Sequence, residues 1–240
     1  MNIIVFVTLK LNEAEIDPDK IQEVEVNSFD IGAINEALRL KENVGARVTV
    51  AVVGPDYVES AIRKLISSEV DDAVHLVVDD AAFEKADAHT IATALGNFLH
   101  EKEFDLLLFG KQGSGLINGL PQITAEMLNL PCVTDCNDFI INDKEVECNR
   151  KTDSFREKVA TSIPCLLELN SQFEGGVAKS SLFKLLKAQF KSVSVHPSPT
   201  SDPKVELVKL EDFPPRKQKV FSRDEIPDLL KVLRDEEKVL

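Results

Sequence analysis

No apolar run in this 240-residue sequence approaches the roughly 18 residues that cross a bilayer as a helix, so no transmembrane segment is expected. The first ten residues run straight into a strand-like pattern without the layout of a signal peptide. The expected setting is therefore the cytoplasm of a bacterium, or a mitochondrial matrix in a eukaryote. Basic charge is also scarce. Lysine and arginine number 28 against 41 acidic residues, a net charge of −13, which argues against nucleic acid or an anionic membrane as partner. Only four cysteines occur, Cys132, Cys136, Cys148 and Cys165. No second close pair or adjacent histidine completes a zinc set around Cys132 and Cys136, so the four read as reduced, buried structural thiols and no metal site is expected. The four histidines are equally dispersed and none pairs in sequence with a nucleophile. Catalytic residues are not expected.

Two familiar phosphate signatures are missing as well. There is no Walker A lysine pattern and no GxGxxG spacing. What is present is Phe104–Pro131, FDLLLFGKQGSGLINGLPQITAEMLNLP, around which the chain is organised. It reads as a buried strand over Asp105–Phe109, a glycine-punctuated turn over Gly110–Gly119 and an amphipathic helix over Leu120–Asn129. Gly110, Gly113 and Gly115 permit positive φ and close approach of a ligand, and a helix N-terminus offers N–H groups to an anion. Such a strand–turn–helix is more often plain α/β architecture than a nucleotide site.

The rest of the chain supplies a context. With 43% hydrophobic residues it can bury one substantial core or two modest ones. Asn2–Thr8 is a continuous apolar run of strand length, expected where both faces are covered. A polar stretch over Leu9–Val26 ends in an alternating VEV suited to a hairpin arm. Asn27, Ser28 and Asp30 are helix-capping types before the spaced Ile31, Ile34 and Leu38. A second strand at Arg47–Val53 ends in Gly54-Pro55, a helix with Val58, Ala61, Ile62, Leu65 and Ile66 follows, and Ala73–Val78 is a third strand. A helix from Asp87 to Glu101 precedes the central stretch. This alternation predicts a parallel sheet wound by helices, whose ligands sit at the carboxyl ends of the strands. Those ends are Thr8, Val53-Gly54-Pro55 and Gly110-Lys111-Gln112, with Asn27 in reach of the same crevice.

After Pro131 the pattern changes. Phe139–Glu147 predicts a β-hairpin turning at Asn142-Asp143, with further strands at Lys158–Ile163 and Cys165–Leu169. Val177–Phe190 reads as a helix with Leu182, Leu185 and Leu186 on one side, a core face or a partner surface. His196–Pro203, HPSPTSDP, has the composition of a linker. A short strand at Val205–Leu210 and an amphipathic helix at Asp224–Glu236 follow. The division expected is an α/β nucleotide-binding-type domain over 1–195 and a linker with a C-terminal arm over 196–240.

Several stretches carry a resemblance. Asn27–Glu42, NSFDIGAINEALRLKE, the Gly54-Pro55 strand end, Gly110-Lys111-Gln112, Asn118, IPCLLEL (Ile163–Leu169), SLFKLLKA (Ser181–Ala188) and LEDFPPRKQ (Leu210–Gln218) follow in order the pattern of electron transfer flavoprotein β subunits. The resemblance implies a doubly wound, mostly parallel α/β fold, Rossmann-like and of the adenine-nucleotide alpha-hydrolase-like kind, with an added β-hairpin and a C-terminal arm. It implies a heterodimer with an α subunit that holds most of the FAD site. Such a carrier takes electrons from acyl-CoA dehydrogenase-type donors in fatty acid oxidation and delivers them to a quinone oxidoreductase. The β crevice would hold AMP, or a second FAD in bifurcating members. By that resemblance its lining would be Phe6, Asn27, Val53, Gly54, Gly110, Lys111, Gln112, Gly113, Ser114, Asn118 and Gly119. Lys151 would lie near the α-bound flavin, where its charge would stabilise the reduced flavin. Leu182, with Leu185 and Leu186, would dock on dehydrogenases or face the core or the α subunit.

The departures lie in the same places. The loop GSGLINGLPQ replaces the family's longer acidic AIDDDCNQTGQ, and Phe6 stands where alanine is usual, so that its ring could fill the adenine space. SQFEGGVA (Ser171–Ala178) replaces the family's LNEPRYA, and Lys151 stands for a glutamate. A non-redox module of the same fold, holding an adenine nucleotide or none, stands as the alternative.

Overall fold

The computed structural model describes residues 1–11, 24–59, 62–63, 69–112, 115–152, 154–170, 191–209, 211, 220–222 and 225–236. β1 (Asn2–Val7) leads into a small antiparallel pair, β2 (Leu9–Leu11) with β3 (Val24–Val26), then into α1 (Ser28–Val44) and β4 (Arg47–Gly54). After a 3-10 turn at Asp56–Val58 come β5 (Asp72–Val77), a short α2 (Asp80–Glu84), α3 (Ala88–Leu99), β6 (Leu106–Gly110) and α4 (Leu120–Met127). Then follow β7 (Cys132–Asn142), β8 (Glu145–Lys151), β9 (Arg156–Ser162), β10 (Cys165–Leu169) and β11 (Val193–Pro197). A last helix, α5, spans Ile226–Lys231. The chain divides into two compact units, Met1–Glu206 and Leu207–Leu240.

Nine strands form one sheet in the order β11-β5-β4-β1-β6-β10-β7-β8-β9. Pairing is parallel from β11 to β7 and antiparallel through β8 and β9, which extend the sheet as a meander. Winding runs outward from β1 through β4 to β5, then returns to β6 on the other side of β1. This reversal makes the β1/β6 boundary the switch point, where crevices open in doubly wound sheets.

Strand periodicity sorts the core into two layers. Ile3, Val5 and Val7 of β1, Val48, Val50 and Val52 of β4, and Leu106 and Leu108 of β6 face α1, which answers with Ala33, Ile34, Ala37 and Leu40. The alternate residues Ile4, Phe6, Ala51, Val53, Leu107 and Phe109 face α3 and α4. Burying each large apolar side chain contributes roughly 1.5–3 kcal/mol, so near-continuous apolar strands are what two covered faces require. Helix ends are fixed by local chemistry. Asn27 caps α1 by accepting the Phe29 N–H, and Gly45 closes it at φ 69 with its N–H on the Lys41 carbonyl. Asp79 and Asp87 cap α2 and α3 with their side chains.

Many predicted elements occur within two residues of their expected bounds, but among the described residues β7 and β8 extend the hairpin expected over Phe139–Glu147 back to Cys132 and on to Lys151, and β11 was not foreseen where a linker was expected from His196. Residues 205–209 form no strand, and α2 was not foreseen because five residues carry too little periodicity to reveal a helix. The helix expected over Val177–Phe190 lies outside the described residues. No helix among those described is long and apolar enough to cross a membrane.

Candidate functional site

The carboxyl edge at the switch point is organised by Asp30, a fully buried carboxylate in the first turn of α1. Its Oδ2 accepts the Thr8 N–H at 2.8 Å and the Thr8 hydroxyl at 2.5 Å, and its Oδ1 accepts the Gly110 N–H at 3.0 Å and Gln112 Nε2 at 3.5 Å. Thus one side chain joins the ends of β1 and β6 to the N-terminus of α1, whose dipole favours negative charge there. Burial pushes the Asp30 carboxyl up from 3.8 to about 6, against the pull of those four hydrogen bonds.

The neighbouring donors are engaged in the same way. Gln112 turns inward and donates to the Gly110 carbonyl at 3.0 Å. Asn27 donates from Nδ2 to the Lys111 carbonyl at 3.1 Å while its Oδ1 accepts the Phe29 N–H. Lys111 sends its ammonium to Asp135, and its own N–H to the Leu169 carbonyl at 2.9 Å. Asp135 sits at φ 53, a left-handed conformation that aspartate tolerates, beside the register shift of β7. It also accepts Asn170 Nδ2 at 3.3 Å. Glu168, buried inside β10, receives Gln122 Nε2 at 3.4 Å. Burial raises its carboxyl, while the N–H groups of Gln112 and Asp135 oppose that rise.

Of the residues singled out in the sequence, the structure brings Asn27, Gly110, Lys111 and Gln112 together with Thr8 at one edge. Gly54 lies at the end of β4, its carbonyl 3.0 Å from the buried His75 Nε2. Phe6 and Val53 point away from α1 into the opposite core layer, where the Phe6 ring lies 5.1 Å from that of Phe109. Asn118 is exposed, and Gly119 takes φ 83 as the N-cap of α4. Gly113, Ser114, Leu182, Leu185 and Leu186 lie outside the described residues. Asp135, Glu168 and Asn170 were missed. A glutamate within the apolar CLLEL run was the available signal, since a charge in a doubly covered strand demands partners.

A second feature lies on the antiparallel extension. A groove of about 520 Å³ is lined by Asn137, Asp138, Asn149, Arg150, Lys151, Arg156, Glu157 and Lys158. Lys151 stands directly across from Arg156 in the β8–β9 register, two like charges where opposite charges would stabilise the pair. Arg150 reaches Thr134 at 3.2 Å and Glu157 at 3.4 Å, leaving its buried Nε without a partner among the described residues. Phe155, beside Arg156, is 67% exposed.

The match to known proteins decides what these features belong to. Residues 20–172 match the family model described as the electron transfer flavoprotein domain. The chain belongs to the electron transfer flavoprotein family. It is 32% identical over 178 residues to "Electron transfer flavoprotein subunit beta" of Bacillus subtilis, covering 70% of this chain and 68% of that one. It is 30% identical over 152 residues to "Protein FixA" of Azotobacter vinelandii, covering 60% and 53%. Against "Caffeyl-CoA reductase-Etf complex subunit CarD" of Acetobacterium woodii it is 31% identical over 165 residues, covering 65% and 62%. Its function is that of an electron transfer flavoprotein β subunit, and flavin chemistry is its context. The nine-stranded, doubly wound sheet agrees with the α/β fold expected.

Among the described residues, those at the switch point fit poorly around a nucleotide phosphate. The side chains of Asn27, Lys111 and Gln112 are all held by the chain itself. At the start of α4, Leu120 gives its N–H to the Ile117 carbonyl at 3.2 Å, Pro121 has no N–H, and no side chain among the described residues caps the turn. Two of the three opening donors of that helix N-terminus are thereby removed. Three carboxylates, Asp30, Asp135 and Glu168, surround a turn with one lysine that is already paired.

Proposed function

We propose that the chain forms a heterodimer with an FAD-bearing electron transfer flavoprotein α subunit. The pair carries electrons from acyl-CoA dehydrogenase-type donors to a quinone oxidoreductase or respiratory chain. The family match over residues 20–172 is the observation that carries this reading. When bound, FAD supplies the one- and two-electron chemistry, and the protein's part is to bind and tune it. No side chain of this chain is assigned a catalytic step. The carrier works in the bacterial cytoplasm, or in the mitochondrial matrix of a eukaryote.

On this reading the groove on the β8–β9 extension turns toward the α subunit, with Lys151 beside the flavin. Its excess of cations in a chain of net charge −13 supports an anionic neighbour there. Leu182, Leu185 and Leu186 dock on the dehydrogenase, and the C-terminal arm docks on the α subunit. Gly54, Gly113, Ser114, Asn118 and Gly119 belong to the crevice the family uses for AMP, whereas Phe6 and Val53 are taken up by the buried core layer. The internally engaged donors and Pro121 favour a crevice that holds no nucleotide in this chain.

Denaturing the co-expressed heterodimer and counting released nucleotides by chromatography tests both parts. One FAD and no AMP is the expected result. One FAD with one AMP leaves the carrier role standing and overturns the empty crevice. Two FAD per heterodimer makes this a bifurcating β subunit. A colourless complex sinks the redox reading in favour of a non-redox nucleotide or assembly module.

A further inference from the structure

The segment whose composition predicts a linker is bolted to α3. After β11, Ser198 gives its N–H to the Val77 carbonyl at 2.9 Å and its hydroxyl to the Ala94 carbonyl at 3.3 Å. The Ser201 hydroxyl lies 3.1 Å from His89 Nδ1 and donates to the Thr93 hydroxyl oxygen at 3.2 Å. Its carbonyl lies 3.3 Å from the Thr90 hydroxyl. His89 and Thr93, one turn apart on α3, and the neighbouring Thr90 therefore all meet a single serine.

Asp87 completes the attachment, and its two oxygens divide the work. Oδ1 caps α3, accepting the Thr90 N–H at 2.8 Å and the Thr90 hydroxyl at 2.9 Å. Oδ2 accepts the N–H groups of Lys204 and Val205 at 2.6 and 2.9 Å, across 117 and 118 positions of sequence. The residue is 2% exposed, so its charge is compensated by these donors and not by water. Helix capping alone would engage one oxygen; the second is used only for the departing chain. Residues 198–205 are thus the last fixed stretch of the first unit, which ends at Glu206.

We propose that Asp87 roots the C-terminal arm, holding the chain at Lys204 and Val205 so that the arm docks on the α subunit from a fixed point. This rests on the reading that the arm binds an α subunit. A rooted segment loses less conformational freedom on docking than one hanging from a longer tether, and its effective concentration at the partner is higher. Freeing residues 198–206 would lengthen the tether and disperse the arm, with the contacts to the α subunit unchanged.

Two variants separate rooting from folding. Asp87→Asn keeps a side-chain acceptor for the α3 cap, since asparagine caps about as well as aspartate, but sets an NH₂ group or a weaker acceptor against the two N–H groups. Ser201→Ala removes the hydroxyl between His89 and Thr93 and leaves the cap untouched. Each full-length variant is titrated with the FAD-bearing α subunit, and amide exchange at Lys204 and Val205 is followed in parallel. Faster exchange at both amides with a heterodimer affinity lowered roughly 10-fold in Asp87→Asn, and less in Ser201→Ala, is expected. Faster exchange with affinity within 2-fold of wild type overturns the rooting role while the heterodimer stands. Unchanged exchange in both variants overturns it as well. A wild-type chain that fails to bind the α subunit overturns the heterodimer reading itself, and the rooting role with it.

Discussion

Gly110 at the end of β6 lies against the first turn of α1 so closely that a Cβ there would stand 2.3 Å from the Asp30 nitrogen and 2.4 Å from its Oδ1. The glycine is required by this approach, because backbone atoms and a buried carboxylate cannot yield as a flexible side chain would. Gly110→Ala is expected to destabilise the chain by about 3 kcal/mol, since the clash also parts the Gly110 N–H from Asp30. Urea unfolding followed by circular dichroism measures it. A loss under 1 kcal/mol would mean that α1 can shift without cost.

Asp30 makes the stability of the fold depend on pH in an unusual sense. Its carboxyl is raised from 3.8 to about 6 by burial, so between those values the folded state holds a proton that the unfolded state has released. The contribution is fully present below 3.8 and is lost as the pH climbs through about 6. The gap corresponds to about 3 kcal/mol at roughly 1.4 kcal/mol per pH unit. An Asp30→Asn variant removes this titration. The stability difference between wild type and variant should therefore move against wild type by about 2 kcal/mol from pH 4 to pH 7, most of the full gap. A difference that stays constant over that range would show that Asp30 titrates normally.

The strands and helices were legible because their signals are local and strong: apolar runs in β1, β4 and β6, capping side chains at Asn27 and Asp87, and a turn-bearing hairpin. The family was legible in Asn27–Glu42 and the GKQ turn. The site was only partly so. Sequence placed Asn27, Gly110 and Gln112 at one edge, but not that Asp30, a cap-type residue in an ordinary helix start, would join β1 to β6. Asp135 and Asn170 lie 24 and 35 positions from their partners Lys111 and Asp135, and pairings over such distances leave no periodic trace. HPSPTSDP misled for the same reason. Proline and serine mark a segment free of regular structure, and whether it is tethered depends on Asp87, remote in sequence.

The cysteines should be inert in the native state. Cys136, Cys148 and Cys165 are buried in the sheet and Cys132 is half-buried. Burial pushes the Cys132 thiol up to about 11 and that of Cys165 up to about 12. The hydrogen bond with Cys148, reinforced by burial, holds Cys136 well above the ordinary thiol range. The reactive species is the thiolate; the same hydrogen bond holds Cys148 below the ordinary thiol range, but that residue is fully buried, so at pH 8 the folded chain should give almost no reaction with an aromatic disulfide reagent over minutes. In denaturant all four thiols of the sequence should titrate. Rapid modification of one thiol in the folded chain would reveal an opening of the β7–β8 pair.

Lys151 offers a separation of stability from redox tuning. It faces Arg156 across β8 and β9, so Lys151→Glu replaces a like-charge pair by an opposite-charge pair and should stabilise the chain by about 0.5 kcal/mol. On the proposed placement of Lys151 beside the flavin, the same change in the heterodimer puts negative charge there and disfavours its reduction. A potential lower by about 30 mV is expected, equivalent to about 1.4 kcal/mol for a two-electron couple. Spectroelectrochemical titration of the heterodimer reads the potential, and urea unfolding of the isolated chain reads the stability. A stability gain with an unchanged potential would leave the cross-strand relationship intact and remove Lys151 from the flavin's surroundings.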